Sequence, residues 1–285
     1  MMKLVINTTE LKEMVSKAEK GAGNNKLLPI TSLIGISYAD KFTLTTTDGT
    51  NYLCVTKNLS APVNEAFEVA VAVDKFAKLV ARLTCEKVTI EIVDDYLQIT
   101  GNGTYKIELP YDENGSVVRY KDPADKLSDL EIEEEGTVYT STVRQAIAAV
   151  KPALSMTPDV PCYMNYYVSD KIIGTDTYTI ADLAYKMFNT PKLLSAELMN
   201  LLGLTDAVEM SYTMYKDGNI KFVADDCQVY GRCADGIDDY AINAINKLLD
   251  KDMPSKCEIS KDALLQLLDR LIARSEERFS RNAET

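Results

Sequence analysis

The chain repeats itself, and any fold proposed for it has to explain the repeat. "KFTLTTTDGTNYLCV" at 41–55 is echoed by "YLQITGNGTYKIEL" at 96–109, by "KIIGTDTYTIADL" at 171–183 and more loosely by "NIKFVADDCQVYG" at 219–231. Each copy alternates apolar and polar residues, rises into a short turn and alternates again, which is the pattern of a β-hairpin. A turn with an acidic residue ("YADKF", "VDDYL", "VSDKI", "YKDGN") precedes each one. Ahead of the hairpins lies a second shared pattern, in which a short strand and a polar residue lead into apolar residues at helical spacing. Its copies are "LVINTTELKEMVSKA", "VAVDKFAKLVARL", "VYTSTVRQAIAAV", "KLLSAELMNLLGL" and "CEISKDALLQLLDRL". Thr8, Asp74, Ser141, Ser195 and Ser260 are the expected N-caps, because their side-chain oxygens can accept from unpaired first-turn amides.

Each unit therefore reads as strand, helix, strand, hairpin. One such unit cannot cover both its helix and its sheet edge, so two should pair through their sheets with both helices on one face. The fold class is α+β, with antiparallel sheets outside and helices inside. Units one and two make a domain over 1–127, units three and four a domain over 128–252, and a fifth unit, first strand and helix only, occupies 253–285. Between the first two domains, "DENGSVVRYKDPADKLSDLEIEEEG" has the Gly, Pro and charge content of a linker or exposed edge connection.

Composition narrows the function. The chain has 285 residues, 43 acidic against 31 basic, and a net charge of −12, which argues against a surface that is anion-binding throughout. With no apolar run near the roughly 20 residues of a membrane helix, and no apolar core at the N-terminus, a cytoplasmic protein with no membrane partner is expected. Six scattered cysteines and the absence of histidine predict reduced thiols, no metal site and no cofactor. Missing histidine also removes Ser-His-Asp and Cys-His catalysis. Carboxylate pairs such as Asp94/Asp95, Asp225/Asp226 and Asp238/Asp239 are neighbours that point to opposite faces of a strand, so they read as turn and edge chemistry. "GNGT" at 101–104 reads as a hairpin turn, since no helix begins there.

Several stretches together resemble the bacterial DNA polymerase III beta subunit, the DNA sliding clamp. They are "MKLVINTTEL", "NNKLLPITSLIGISYADKFTLTTTDGTNYLCV", "DVPCYMNYYV", "GTDTYTIADL", the "DDY" at 238–240 and "MPSKCEISKDALLQLLDRLIARSEERF", in the family's order along nearly the whole chain. The resemblance implies a clamp fold of three similar domains per subunit, with two subunits closed head to tail around duplex DNA. It implies a non-catalytic processivity factor that tethers DNA polymerase and clamp-loader subunits through their short linear motifs. Such a ring needs basic residues only where it faces DNA. The expected helices (9–20, 74–87, 141–151, 195–206, 260–282) carry fourteen basic against eleven acidic residues, a net of +3 that leaves −15 for the rest.

The DNA-facing candidates are Lys12, Lys17, Lys20, Lys75, Lys78, Arg82, Arg144, Lys151, Arg270 and Arg274 on the helices. Lys26 and Tyr163 join them at loop positions that touch DNA in the family. Met164, Thr175 and Ile180 match the second-domain wall of the family's peptide pocket, with Pro254 at its floor. A complete third domain needs two units, so the chain reads as a shortened or partial clamp. Its last helix has Leu264, Leu267, Leu268, Leu271 and Ile272 on one face with no hairpin after it to cover them. The alternative to a DNA-encircling ring is a clamp-fold interaction module that binds clamp partners without encircling DNA.

Overall fold

The computed structural model describes residues 3–58, 66–252 and 258–283, with only the helical backbone described from Ala273 onward. It forms two compact units, Met1–Tyr240 and Ala241–Thr285.

The first unit contains two runs of elements in the same order. The first run is β1 (Lys3–Asn7), α1 (Thr8–Ala18), β2 (Leu33–Tyr38), β3 (Phe42–Thr47), β4 (Tyr52–Lys57), β5 (Phe67–Ala72), α2 (Val73–Ala81), β6 (Lys87–Val93), β7 (Tyr96–Thr100) and β8 (Thr104–Glu108). The second run is β9 (Ile132–Tyr139), α3 (Thr140–Val150), β10 (Asn165–Val168), β11 (Ile172–Thr175), β12 (Ile180–Leu183), β13 (Lys192–Ser195), α4 (Ala196–Leu202), β14 (Glu209–Tyr215), β15 (Asn219–Val223) and β16 (Cys227–Arg232). All four expected hairpins form: β3–β4, β7–β8, β11–β12 and β15–β16.

Strand pairing repeats as well. The order β1-β6-β7-β8 recurs as β9-β14-β15-β16, and β5-β2-β3-β4 recurs as β13-β10-β11-β12. The halves join where β4 pairs antiparallel with β16, with Leu53 opposite Val229 and Tyr52 opposite Tyr230. That seam fuses two four-stranded sheets into one of eight strands, β5-β2-β3-β4-β16-β15-β14-β9.

Helices α1 and α4 flank the seam on one face. Thr46 donates to Ala18 O of α1, and Gly21, just past that helix, lies so close to Leu53 that a Cβ there would stand 2.8 Å from its side chain. Gly231 of β16 meets Leu198 of α4 equally closely. Leu53 and Val229 are opposed in register and Gly231 lies two residues beyond Val229, so these contacts share a sheet face. Apolar residues at helical spacing, Leu11, Met14, Val15 and Ala18 on α1 and Leu198, Met199, Leu201 and Leu202 on α4, drive that packing.

The N-caps differ from expectation at three helices. Strand runs directly into helix with no intervening loop, so the cap is the last strand residue. Asn7, rather than Thr8, accepts from Thr9 N at 2.9 Å. Ala72 precedes α2 in place of Asp74, and Tyr139 precedes α3 in place of Ser141, and neither has a capping side chain. Carbonyls of the residues just before β6 and β14 compensate at α1 and α3, where Thr8 N donates to Glu86 O and Thr140 N to Val208 O, both at 3.0 Å. Ser195 caps α4 as expected, accepting from Leu198 N at 3.1 Å. Helix α2 ends at Ala81 and α4 at Leu202, several residues short of the expected 87 and 206.

The segment read as a linker or exposed edge is packed. Tyr120, Pro123 and Leu127 are buried, and Leu127 joins Cys54, Tyr215 and Tyr230 in a small core. Cys54 is adjacent to Leu53 on its strand and therefore points to the face opposite the helices. From Ile132 on, the acidic run "EIEEEG" is the first part of β9, where Glu133 pairs with Lys192 at 2.8 Å.

The second unit holds α5 (Ile242–Leu249), an element not expected from sequence, and α6 (Lys261–Ala283), where the fifth helix was expected. Leu264, Leu267, Leu268, Leu271 and Ile272 of α6 are exposed.

Candidate functional site

The basic residues of the four helices of the first unit fall into two groups. Around the pair α1/α2, Lys75 and Lys78 on α2 and Lys20 and Arg82 just past the two helix ends are exposed, and Lys12 on α1 is half-buried. Only Lys78 of these has an ion-pair partner among the described residues, Asp74 one turn earlier at 3.4 Å, both side chains about seven-tenths exposed. Such an exposed pair contributes little and leaves Lys78 available to a phosphate. Lys26 is exposed in the loop that follows α1, where Asn25 folds back to accept from Leu27 N at 2.9 Å.

The other group is already spent. Lys17 pairs with Asp206 and, at 2.9 Å, with Asp226. Asp226 also accepts from the Thr205 hydroxyl and from Asp206 N, the latter at 3.1 Å. Burial pushes the Asp226 carboxyl up, but the Thr205 and Lys17 hydrogen bonds outweigh it and hold the group below the usual carboxylate range. Lys17 thus ties the end of α1 to the α4–β14 loop and the β15–β16 turn of the other half. Arg144 of α3 donates to Gly203 O at 3.0 Å and Thr205 O at 2.6 Å, capping the carbonyl end of α4. Lys151 donates to Asn200 Oδ1 at 3.1 Å. Tyr163 packs edge-on against Tyr240, ring centroids 5.1 Å apart. Arg270 of α6 is exposed, whereas the side chain of Arg274 lies outside the described residues.

The peptide-wall candidates divide similarly. Met164 is exposed and Ile180 half-buried at the start of β12. Thr175 is buried, and its hydroxyl donates to Thr179 O at 2.7 Å and accepts from Thr177 N at 3.0 Å. It therefore shapes the turn beside the wall and offers no hydroxyl of its own. Tyr178, at the tip of that turn, is almost fully exposed and was not singled out from sequence. Pro254 lies outside the described residues.

Residues 2–114 match the family described as DNA polymerase III beta subunit, N-terminal domain. Residues 2–114 carry that domain, and the chain has the sliding-clamp fold. A putative DNA polymerase III beta subunit from Eubacterium rectale superposes with a TM-score of 0.74 at 17% identity, covering 95% of this chain and 74% of that one. The Bacillus subtilis DNA polymerase sliding clamp gives 0.71 at 17% identity, covering 94% and 73%. For the Thermotoga maritima beta subunit the values are 0.66 and 18%, and this chain spans 65% of that subunit's length. No curated protein sequence matches the chain. None of the described helices is long and apolar enough to cross a membrane.

Proposed function

We propose that the chain acts as a DNA sliding clamp, a non-catalytic factor that surrounds duplex DNA and tethers polymerase and clamp-loader subunits through short linear motifs. On this reading 1–127 and 128–252 are its first two clamp domains and the segment from 253 begins a third. One observation carries the proposal: the second half repeats the first strand for strand, and the two join edge to edge with α1 and α4 on a common face. The free cations of α1/α2 and Lys26 supply that side with phosphate contacts, while the acidic remainder repels DNA elsewhere. Met164, Ile180 and the exposed Tyr178 form the peptide wall.

Self-association follows from the edges. Strand β4 corresponds to β12 and β16 to β8, so the β4–β16 seam is an internal template for pairing β12 or β8 with further clamp modules. Neither of those strands has a partner on its outer edge among the described residues.

Equilibrium binding of a short duplex at varied salt tests the DNA-facing assignment. Binding at low salt should weaken steeply as salt rises, and Lys75→Glu with Arg82→Glu should reduce affinity about tenfold or more and flatten the slope by about 0.9 per lost phosphate contact. No binding at low salt, or an unchanged slope in the double variant, contradicts the assignment and favours the interaction-module reading.

A further inference from the structure

The face opposite α1 and α4 carries a pocket of about 170 Å³ beside the seam. Ile30, Tyr52, Tyr120 and Pro123 form its walls. The walls are fixed in place: the Tyr120 hydroxyl lies 2.8 Å from both Ile30 O and Leu33 O, and Pro123 sits in a turn capped by Asp122, which accepts from Ala124 N at 2.9 Å. A cavity near 150 Å³ accepts a benzene-sized group, so this one has room for a single ring or large aliphatic side chain.

The mouth is basic. Arg119, Lys121 and Lys126 line it and are exposed. Lys126 lies over the Tyr52 ring, 5.6 Å from its centroid, and none of the three has an ion-pair partner among the described residues. Asp122 is occupied as a cap, and Glu68, whose charge reaches Arg119, lines the neighbouring groove and not this pocket. Three cations at one small apolar pocket, in a chain with a net charge of −12, are complementary to an anion carrying an apolar anchor.

The pocket also has an internal counterpart. Thr47 donates to Asn51 O as Thr175 donates to Thr179 O, and Asp48 caps its turn as Asp176 does. This match sets Tyr52 at the position of Ile180, so the first half has a walled pocket where the second half has its candidate peptide wall.

We propose that this pocket docks a short acidic peptide, which inserts one aromatic or large aliphatic side chain between Tyr52 and Pro123 and lays its carboxylates against Arg119, Lys121 and Lys126. The inference goes beyond the proposed function and stands whether or not the chain encircles DNA. The probe is a fluorescein-labelled Glu-Asp-Leu-Phe peptide, titrated with the full chain and read by anisotropy. A second version carries photoreactive benzoylphenylalanine in place of Phe, with the cross-link mapped by mass spectrometry. Saturable binding is expected, weakened about tenfold by Arg119→Glu with Lys126→Glu, unchanged by Ile180→Lys, and cross-linked to Ile30, Tyr52 or Tyr120. Arg119 and Lys126 are exposed and Ile180 is half-buried at a strand edge, and far-UV circular dichroism checks that each variant keeps the fold. The proposal is overturned by absence of saturation up to about 1 mM, by binding that depends on Ile180, or by cross-links elsewhere. Duplex binding lost in Arg119→Glu with Lys126→Glu, without any peptide binding, would overturn it too and make the mouth a phosphate contact.

Discussion

Thr177 and Gly49 occupy the same position in two copies of one turn. Gly49 has φ +104°, which glycine adopts at little cost; Thr177 has φ +77°, a left-handed conformation that a β-branched residue resists. The turn tolerates Thr177 because Asp176 accepts from Tyr178 N and Thr179 N and Thr175 accepts from Thr177 N. Thr177→Gly should therefore be neutral or stabilising by up to about 1 kcal/mol, and Gly49→Thr destabilising by about 1–2 kcal/mol, as read by urea denaturation. The same module solves one close approach in two ways. In the first half Gly21 makes room for Thr46, while in the second Gly174 makes room for Val150. Glu134 shows where sequence misleads. It lies in a run that reads as exposed charge, yet it accepts from Tyr212 at 2.6 Å and from the amides of Asn189 and Thr190 at 2.8 and 3.0 Å. Those partners are 55 to 78 residues away, and nothing local announces them.

At the level of elements, the helices and hairpins were legible because each carries its own periodicity and turn chemistry. Helix ends were not, because the cap is whichever residue ends the strand and backbone carbonyls stand in where that residue cannot cap. The β4–β16 seam was not legible: sequence pairs unit one with two and unit three with four, whereas the seam joins unit one to unit four across the expected domain boundary. Lys17 follows from this: in sequence it reads as one more DNA-facing cation on α1, and only the return of 205–206 and 225–226 to that helix engages it. Lys17→Met removes the cation from two carboxylates and should destabilise the first unit by about 1–2 kcal/mol, between the values of exposed and buried pairs. Because the folded Asp226 carboxyl sits below its unfolded value, its contribution is present above the ordinary carboxylate pKa of about 3.9 and is lost as pH falls through the folded value. Thermal melts of the two proteins should differ at neutral pH and converge as the medium becomes strongly acidic. A gap that persists in acid would show that Lys17 acts through packing alone. Helix α5 had a signal, Ile242, Ile245, Leu248 and Leu249 at helical spacing, lying just past the last hairpin.

For the whole molecule, repetition explains more than composition does. A net charge of −12 by itself argues against nucleic acid, but the two helix pairs distribute cations unevenly: apart from Lys17, those of α1/α2 are open, whereas Arg144 of α3 and Lys151 just past it are engaged by α4 and the loop after it. DNA contact should accordingly be lopsided, stronger on the first half. What tests encirclement most directly is retention after loading onto a nicked circular duplex, measured by gel filtration at moderate salt before and after the circle is cut. A ring stays with the intact circle and leaves once the DNA is linear. Equal retention on circular and linear duplex, or none on either, contradicts encirclement and leaves a clamp-fold module that meets its partners without threading DNA.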